Sequence, residues 1–130
     1  MSTPESARVS ILAVEDDPGV ADLLQSLLND VDGWAVTVAP DAAAALATFQ
    51  QVQIDVVIVD VDLPGISGLE LIDLLHKESG WRGQPVILVS AQARLPAVRE
   101  AIKQGLITEA LMKPFDVDRL IKVITQAIAC

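Results

Sequence analysis

Short apolar runs recur five times along the chain, four of them halting at a charged or polar residue, and each is followed by a helical segment. Arg8 to Val14 (RVSILAV), Trp34 to Ala39, Asp55 to Val61 (DVVIVDV), Pro85 to Val89 (PVILV) and Glu109 to Met112 are the runs. They are too short for helices: the length and branched residues of the first favour a buried strand, the second alternates enough for a strand, and Asp55 to Val61 is the most strand-like of all. Between them, Val20, Leu23, Leu24, Leu27 and Leu28 fall at i, i+3, i+4, i+7 and i+8, one helical face. Asp17 and Pro18 suit the start of that helix. Asp41 suits the cap of an alanine-rich helix from Ala42 to Gln51. A loop containing Pro64, Gly65 and Gly68 precedes a third helix, striped by Leu71, Ile72 and Leu75 and ending near Glu78. A fourth helix runs from about Leu95 to Gln104, and Leu120, Ile121, Ile124 and Ile128 stripe a fifth behind an Asp116 cap. Strand and helix in strict alternation predict an α/β fold: a parallel sheet with helices on both faces and right-handed connections.

A chain of 130 residues has room for one domain, here expected to be residues 8–130 behind a flexible tail of residues 1–7. A hydrophobic fraction of 52% excludes disorder. Nine basic against eighteen acidic side chains give a net charge of −9, which disfavours direct binding to nucleic acid or to an anionic membrane surface. That charge suits cations, or a partner with a basic face. The single cysteine, Cys130, and the single histidine, His76, exclude an internal disulfide and a zinc cluster. The sequence contains no apolar run long enough to span a bilayer, and its opening residues do not resemble a secretory signal, so a cytoplasmic setting is expected.

In open parallel sheets, chemistry gathers beyond the carboxyl ends of the strands. Those places hold Glu15-Asp16-Asp17, then Asp60 and Asp62, then Ser90, then Lys113-Pro114. Should the first and third strands be neighbours, at least three carboxylates converge. Two unit charges about 4 Å apart repel by about 4 kcal/mol at an effective dielectric near 20. Such a cluster raises a pKa or takes up a cation, and a hard divalent ion such as Mg²⁺ prefers oxygen ligands. With a hydroxyl and an ammonium beside it, the cluster suits a phosphoryl group.

Four segments in order, the acidic triplet of ILAVEDDPGV, DVVIVDVDLPGISGLEL, PVILVSAQ and LMKPF, make the sequence resemble the receiver domains of two-component response regulators. The resemblance spans nearly the whole chain from about Val9. It implies a doubly wound (βα)5 fold with the flavodoxin-like strand order 2-1-3-4-5. It implies that Asp60 is the phosphoacceptor, taking a phosphoryl group from a phosphohistidine on a sensor histidine kinase or phosphotransfer protein. Asp16 would then bind Mg²⁺ directly, Glu15 through a water, and Asp62 through its backbone carbonyl. Lys113 would pair with a phosphoryl oxygen, Ser90 would hydrogen-bond the phosphoryl group, and the Ala91 amide would donate to it. Lys113-Pro114 resembles the family's cis peptide. Phosphorylation would switch a face formed by the fourth helix, fifth strand and fifth helix, which meets a downstream protein or a second copy.

The sequence departs from the family pattern three residues before Lys113, where an aromatic residue is common and Ala110 stands here. A methyl group cannot swing inward, which puts that mode of transmission in doubt and motivates an alternative, a phosphorylation-independent interaction module. Asp62 and Gln92 flank the expected path of attacking water. Asp60-Val61-Asp62 also resembles the D-x-D element of aspartate-nucleophile phosphatases, but that family needs a cap and a later acidic pair, and here the acidic cluster comes first. An FMN carrier is disfavoured by the acidic loop after the first strand. Bland roles are expected for several residues: Asp17 as a cap, His76 at a solvated helix end, Trp34 and Trp81 in packing, and Arg94 and Arg99 on a solvated face.

Overall fold

The computed structural model describes residues 9–91 and 96–129. Residues 1–7, Arg8, Gln92, Arg94, Leu95 and Cys130 therefore lie outside the described residues, with the expectations attached to them. The strands are β1 Val9–Val14, β2 Trp34–Ala39, β3 Val56–Asp60, β4 Val86–Ser90 and β5 Glu109–Met112. The helices are α1 Pro18–Asn29, α2 Ala42–Gln51, α3 Gly68–His76, α4 Pro96–Lys103 and α5 Val117–Ile128. All pairings are parallel and the order is β2-β1-β3-β4-β5, so the alternating pattern builds the expected sheet with a reversal beside β1.

Successive side chains of a strand point to opposite faces, so a strand covered on both sides must be apolar throughout. Leu12, Val14, Val57, Val59 and Leu88 pack with Phe49, Leu71, Leu75 and Val98 on the face covered by α2, α3 and α4. Ile11, Ala13, Val56, Ile58, Ile87 and Val89 pack with Leu24, Leu28, Leu120 and Ile124 under α1 and α5. All five residues of β3 are buried, as are all five of β4. Ala45 is fully buried, so the alanine-rich α2 is a closely packed helix, as expected.

Several local expectations need correction. Leu23 is 52% exposed, because the buried stripe of α1 is the narrower set Ala21, Leu24 and Leu28. A helix turns about 100° per residue, which carries Leu23 off the centre of that stripe. Gly68 belongs to no loop: it is the first residue of α3, behind an Ser67 cap. The helix ends at His76, where the amides of Lys77 and Glu78 bond back to Leu74 and Leu75 in a closing turn. His76 closes the helix but is half-buried there rather than solvated. Its ring stacks on Trp81 at 4.3 Å between centroids, and its Nε2 is buried without a hydrogen-bond partner. Trp81 in turn lies 6.0 Å from Phe49, and Trp34 packs against the α1 and α5 side, so both tryptophans are packing residues. No helix among the described residues is long and apolar enough to cross a membrane.

Candidate functional site

The register of the sheet decides what meets at its carboxyl edge. Val14 pairs with Val59, so the next residues, Glu15 and Asp60, emerge side by side. Glu15 is held by its amide, which donates to the Ala39 carbonyl at 3.0 Å, and its side chain is only 4% exposed. Asp60 is 3% exposed at the tip of a strand whose other residues are all apolar. Asp16, next in the chain, is exposed, yet carboxylate oxygens of Glu15, Asp16 and Asp60 all lie within 4.8 Å of one another. Asp17 stands apart from this group: it caps α1, accepting from the amides of Gly19 and Val20.

Lys113 arrives from the far side. It follows β5, and its amide donates to the Ser90 carbonyl at 2.8 Å, which ties the ends of β4 and β5 together. Its Nζ donates to Asp60 Oδ2 at 2.7 Å and to Glu15 Oε1 at 3.3 Å. The Lys113–Pro114 peptide is cis, as the resemblance implies. The other Asp60 oxygen, Oδ1, accepts from the Asp62 amide at 3.0 Å. Both carboxylate oxygens are thus gripped, and the side chain has a fixed bearing. Asp62 turns its own side chain to solvent. Ser90 is buried at the end of β4 and Ala91 follows it at the surface. Ala110 is half-buried in β5 against the α2–α4 side of the core, with no ring to rotate.

The charges explain each other. Burial pushes the Glu15 carboxyl above its ordinary value of 4.5; the Asp17 amide opposes this, and the Asp60 charge adds to it. Burial alone would lower the Lys113 ammonium, but its hydrogen bond to Asp60 and the charges of Asp60 and Glu15 outweigh that and raise it. Three carboxylates against one ammonium leave two negative charges in excess, which is the charge of one divalent cation. Hard oxygen donors within 4.8 Å fit Mg²⁺ rather than a thiophilic metal.

The structure brings together Glu15, Asp16, Asp60 and Lys113, and sets the Asp62 amide and the end of β4 at Ser90 against them. Sequence reading placed Gly68 in a loop and missed its close approach to β3, where a built Cβ would sit 2.5 Å from the Asp60 carbonyl oxygen.

Residues 11–125 match the family described as the response regulator receiver domain. An uncharacterised 14.6 kDa protein of Leptolyngbya boryana is 35% identical over 120 residues, covering 92% of this chain and 90% of its own. The crystal structure of a sensor protein from Polaromonas sp. JS666 superposes with a TM-score of 0.84 at 34% identity, over 94% of this chain and 97% of that one. The response regulator TrrA of Thermotoga maritima, solved in complex with Mg(2+)-BeF, superposes with a TM-score of 0.76 at 28% identity, over 92% and 98% of the two chains. The chain spans about half the length of two further curated relatives, both transcriptional regulatory proteins. With the fold, the strand-end carboxylates and the lysine in place, the chain belongs to the receiver domains of two-component response regulators.

Proposed function

We propose that Asp60 is the phosphoacceptor of this receiver domain. The observation that carries this reading is the buried Asp60 carboxylate, held at 2.7 Å by Lys113 within reach of two further carboxylates. An Asp60 oxygen attacks the phosphorus of a donor phosphohistidine; the P–N bond breaks, the imidazole leaves, and an acyl phosphate remains. Lys113 moves from the carboxylate to a phosphoryl oxygen. Ser90 and the Ala91 amide supply further donors at the end of β4.

Asp16 and Asp60 would hold a Mg²⁺ ion directly, Glu15 through a water and Asp62 through its carbonyl. When bound, the metal neutralises charge on the phosphoryl oxygens. The Mg(2+)-BeF complex of the Thermotoga maritima relative supports this choice of ion.

The phosphodonor is a sensor histidine kinase or a phosphotransfer protein. The output face is α4, β5 and α5, where Ile102 and Met112 are each 42% exposed, and it meets a downstream protein or a second copy of the chain. A cytoplasmic location fits this role. A phosphorylation-independent module would have no use for the charge balance at Asp60, so the assembled site weighs against that alternative despite Ala110. It weighs equally against a phosphatase, whose second acidic pair would follow the nucleophile.

Acetyl phosphate with Mg²⁺ is expected to add one phosphate to the wild-type protein and none to Asp60→Asn, read by intact mass. Absence of any gain in the wild type, with acetyl phosphate and with a phosphorylated histidine donor alike, overturns the reading.

A further inference from the structure

Gly68 lies eight positions after Asp60 in the chain but directly against it in space. A Cβ built on Gly68 would sit 2.5 Å from the Asp60 carbonyl oxygen, 2.8 Å from Val59 Cγ1 and 2.9 Å from the Val61 Cα. Real Cβ atoms essentially never come so close, and two of the three neighbours are backbone, which cannot rotate aside. The glycine is not required by its backbone angles, since Gly68 is not among the residues with positive φ. What the position demands is the missing side chain.

The contact closes the loop that follows the nucleophile. The Gly68 amide donates to the Val61 carbonyl at 2.9 Å, and the Val61 amide donates to Val89 at 3.0 Å. The chain therefore leaves β3 at Asp60, turns out through residues 61–67, and returns so that the first turn of α3 rests on the Asp60–Val61 backbone. That backbone also aims the carboxylate, because the Asp62 amide two residues on grips Asp60 Oδ1.

We infer that Gly68 is a positioning residue for phosphoryl transfer: its bare Cα lets α3 seat on the Asp60–Val61 backbone and so fixes the bearing of the Asp60 carboxylate. The inference rests on Asp60 being the phosphoacceptor. A methyl at position 68 has to displace either the peptide that carries the nucleophile or the start of α3. Misplacing a reacting group by an ångström is enough to slow a reaction about a hundredfold.

The test compares wild type, Gly68→Ala and Leu75→Ala for labelling by acetyl phosphate at saturating donor and Mg²⁺. Leu75 is a buried residue of the same helix, distant in the chain from the nucleophile, so its truncation loosens α3 from its core side. Folded fractions are read by circular dichroism and rates are corrected for them. The expected result is at least a tenfold fall in the maximal labelling rate of folded Gly68→Ala, with Leu75→Ala labelled at the wild-type rate. If the alanine variant is unfolded in buffer, trimethylamine oxide is added to all three proteins to repopulate the folded state. A Gly68→Ala protein that labels at the wild-type rate overturns the inference, as does one that no osmolyte refolds, or an equal slowing in Leu75→Ala. An unlabelled wild type sinks the phosphoacceptor reading instead, so the two failures are distinct.

Discussion

The Lys113 ammonium touches two buried carboxylates at once, and its loss strands both. Breaking such a pair is expensive because the remaining charge keeps its desolvation penalty. Lys113 itself is 27% exposed, which moderates the effect. Lys113→Ala is expected to lower metal-free stability by about 2 kcal/mol, read as a fall in the urea midpoint; an unchanged midpoint would show that the pair contributes nothing. Glu15 acts in the opposite sense. Its folded carboxyl is raised above 4.5 chiefly by burial, so its favourable share of stability is present below that value and is lost as pH climbs through the folded pKa. In chelator, Glu15→Gln should therefore melt higher than wild type at pH 8 and lose that advantage at pH 4. Thermal melts at both pH values decide it, and a lower melting temperature for the variant at pH 8 contradicts the burial argument. Charged residues at strand ends were legible from sequence because a carboxylate straight after Val56-Val57-Ile58-Val59 marks both the strand's end and its chemistry. Gly68 and His76 were not legible, since their roles come from what packs over them: the Asp60 backbone in one case and the Trp81 ring in the other.

Helix starts were the most readable elements. Asp17, Asp41 and Asp116 each accept from an amide of the helix they precede. The start of α3 was misread by contrast, because Ser67 and Glu70 form a reciprocal cap that overrides the turn tendency of the neighbouring glycines. Ser67→Ala should cost about 1 kcal/mol, or about 4 °C in melting temperature, while leaving phosphate labelling at the wild-type rate once corrected for folding. Calorimetry with parallel mass measurements tests this, and slowed labelling at an unchanged melting temperature would show that the cap itself steers the site. Strand limits shifted by one residue at β3 and β4. Apolarity marks which residues are buried, whereas pairing with neighbours marks where a ladder stops.

At the scale of the whole molecule, a chain of net charge −9 places three carboxylates against one ammonium at one rim of the sheet, and a bound cation that favours the folded state raises its stability by mass action. Mg²⁺ at about a hundred times its dissociation constant is expected to stabilise the domain by about 2.7 kcal/mol. Asp16→Asn should remove that rise while leaving metal-free stability within about 0.5 kcal/mol, because Asp16 is exposed. Melts with and without Mg²⁺ for both proteins settle the matter, and an undiminished rise in the variant would place the ion elsewhere. Overall architecture was legible because five strand-like runs alternating with five helices admit few arrangements. Strand order was not written in periodicity and came only with the family likeness.

One consequence follows from how β3 is built. It is flanked by β1 and β4, clothed by helices on both sides, and buried at every residue. Such a strand behaves as an anvil. A covalent load set on its tip finds no slack beneath, so any yielding falls to the loops at the rim.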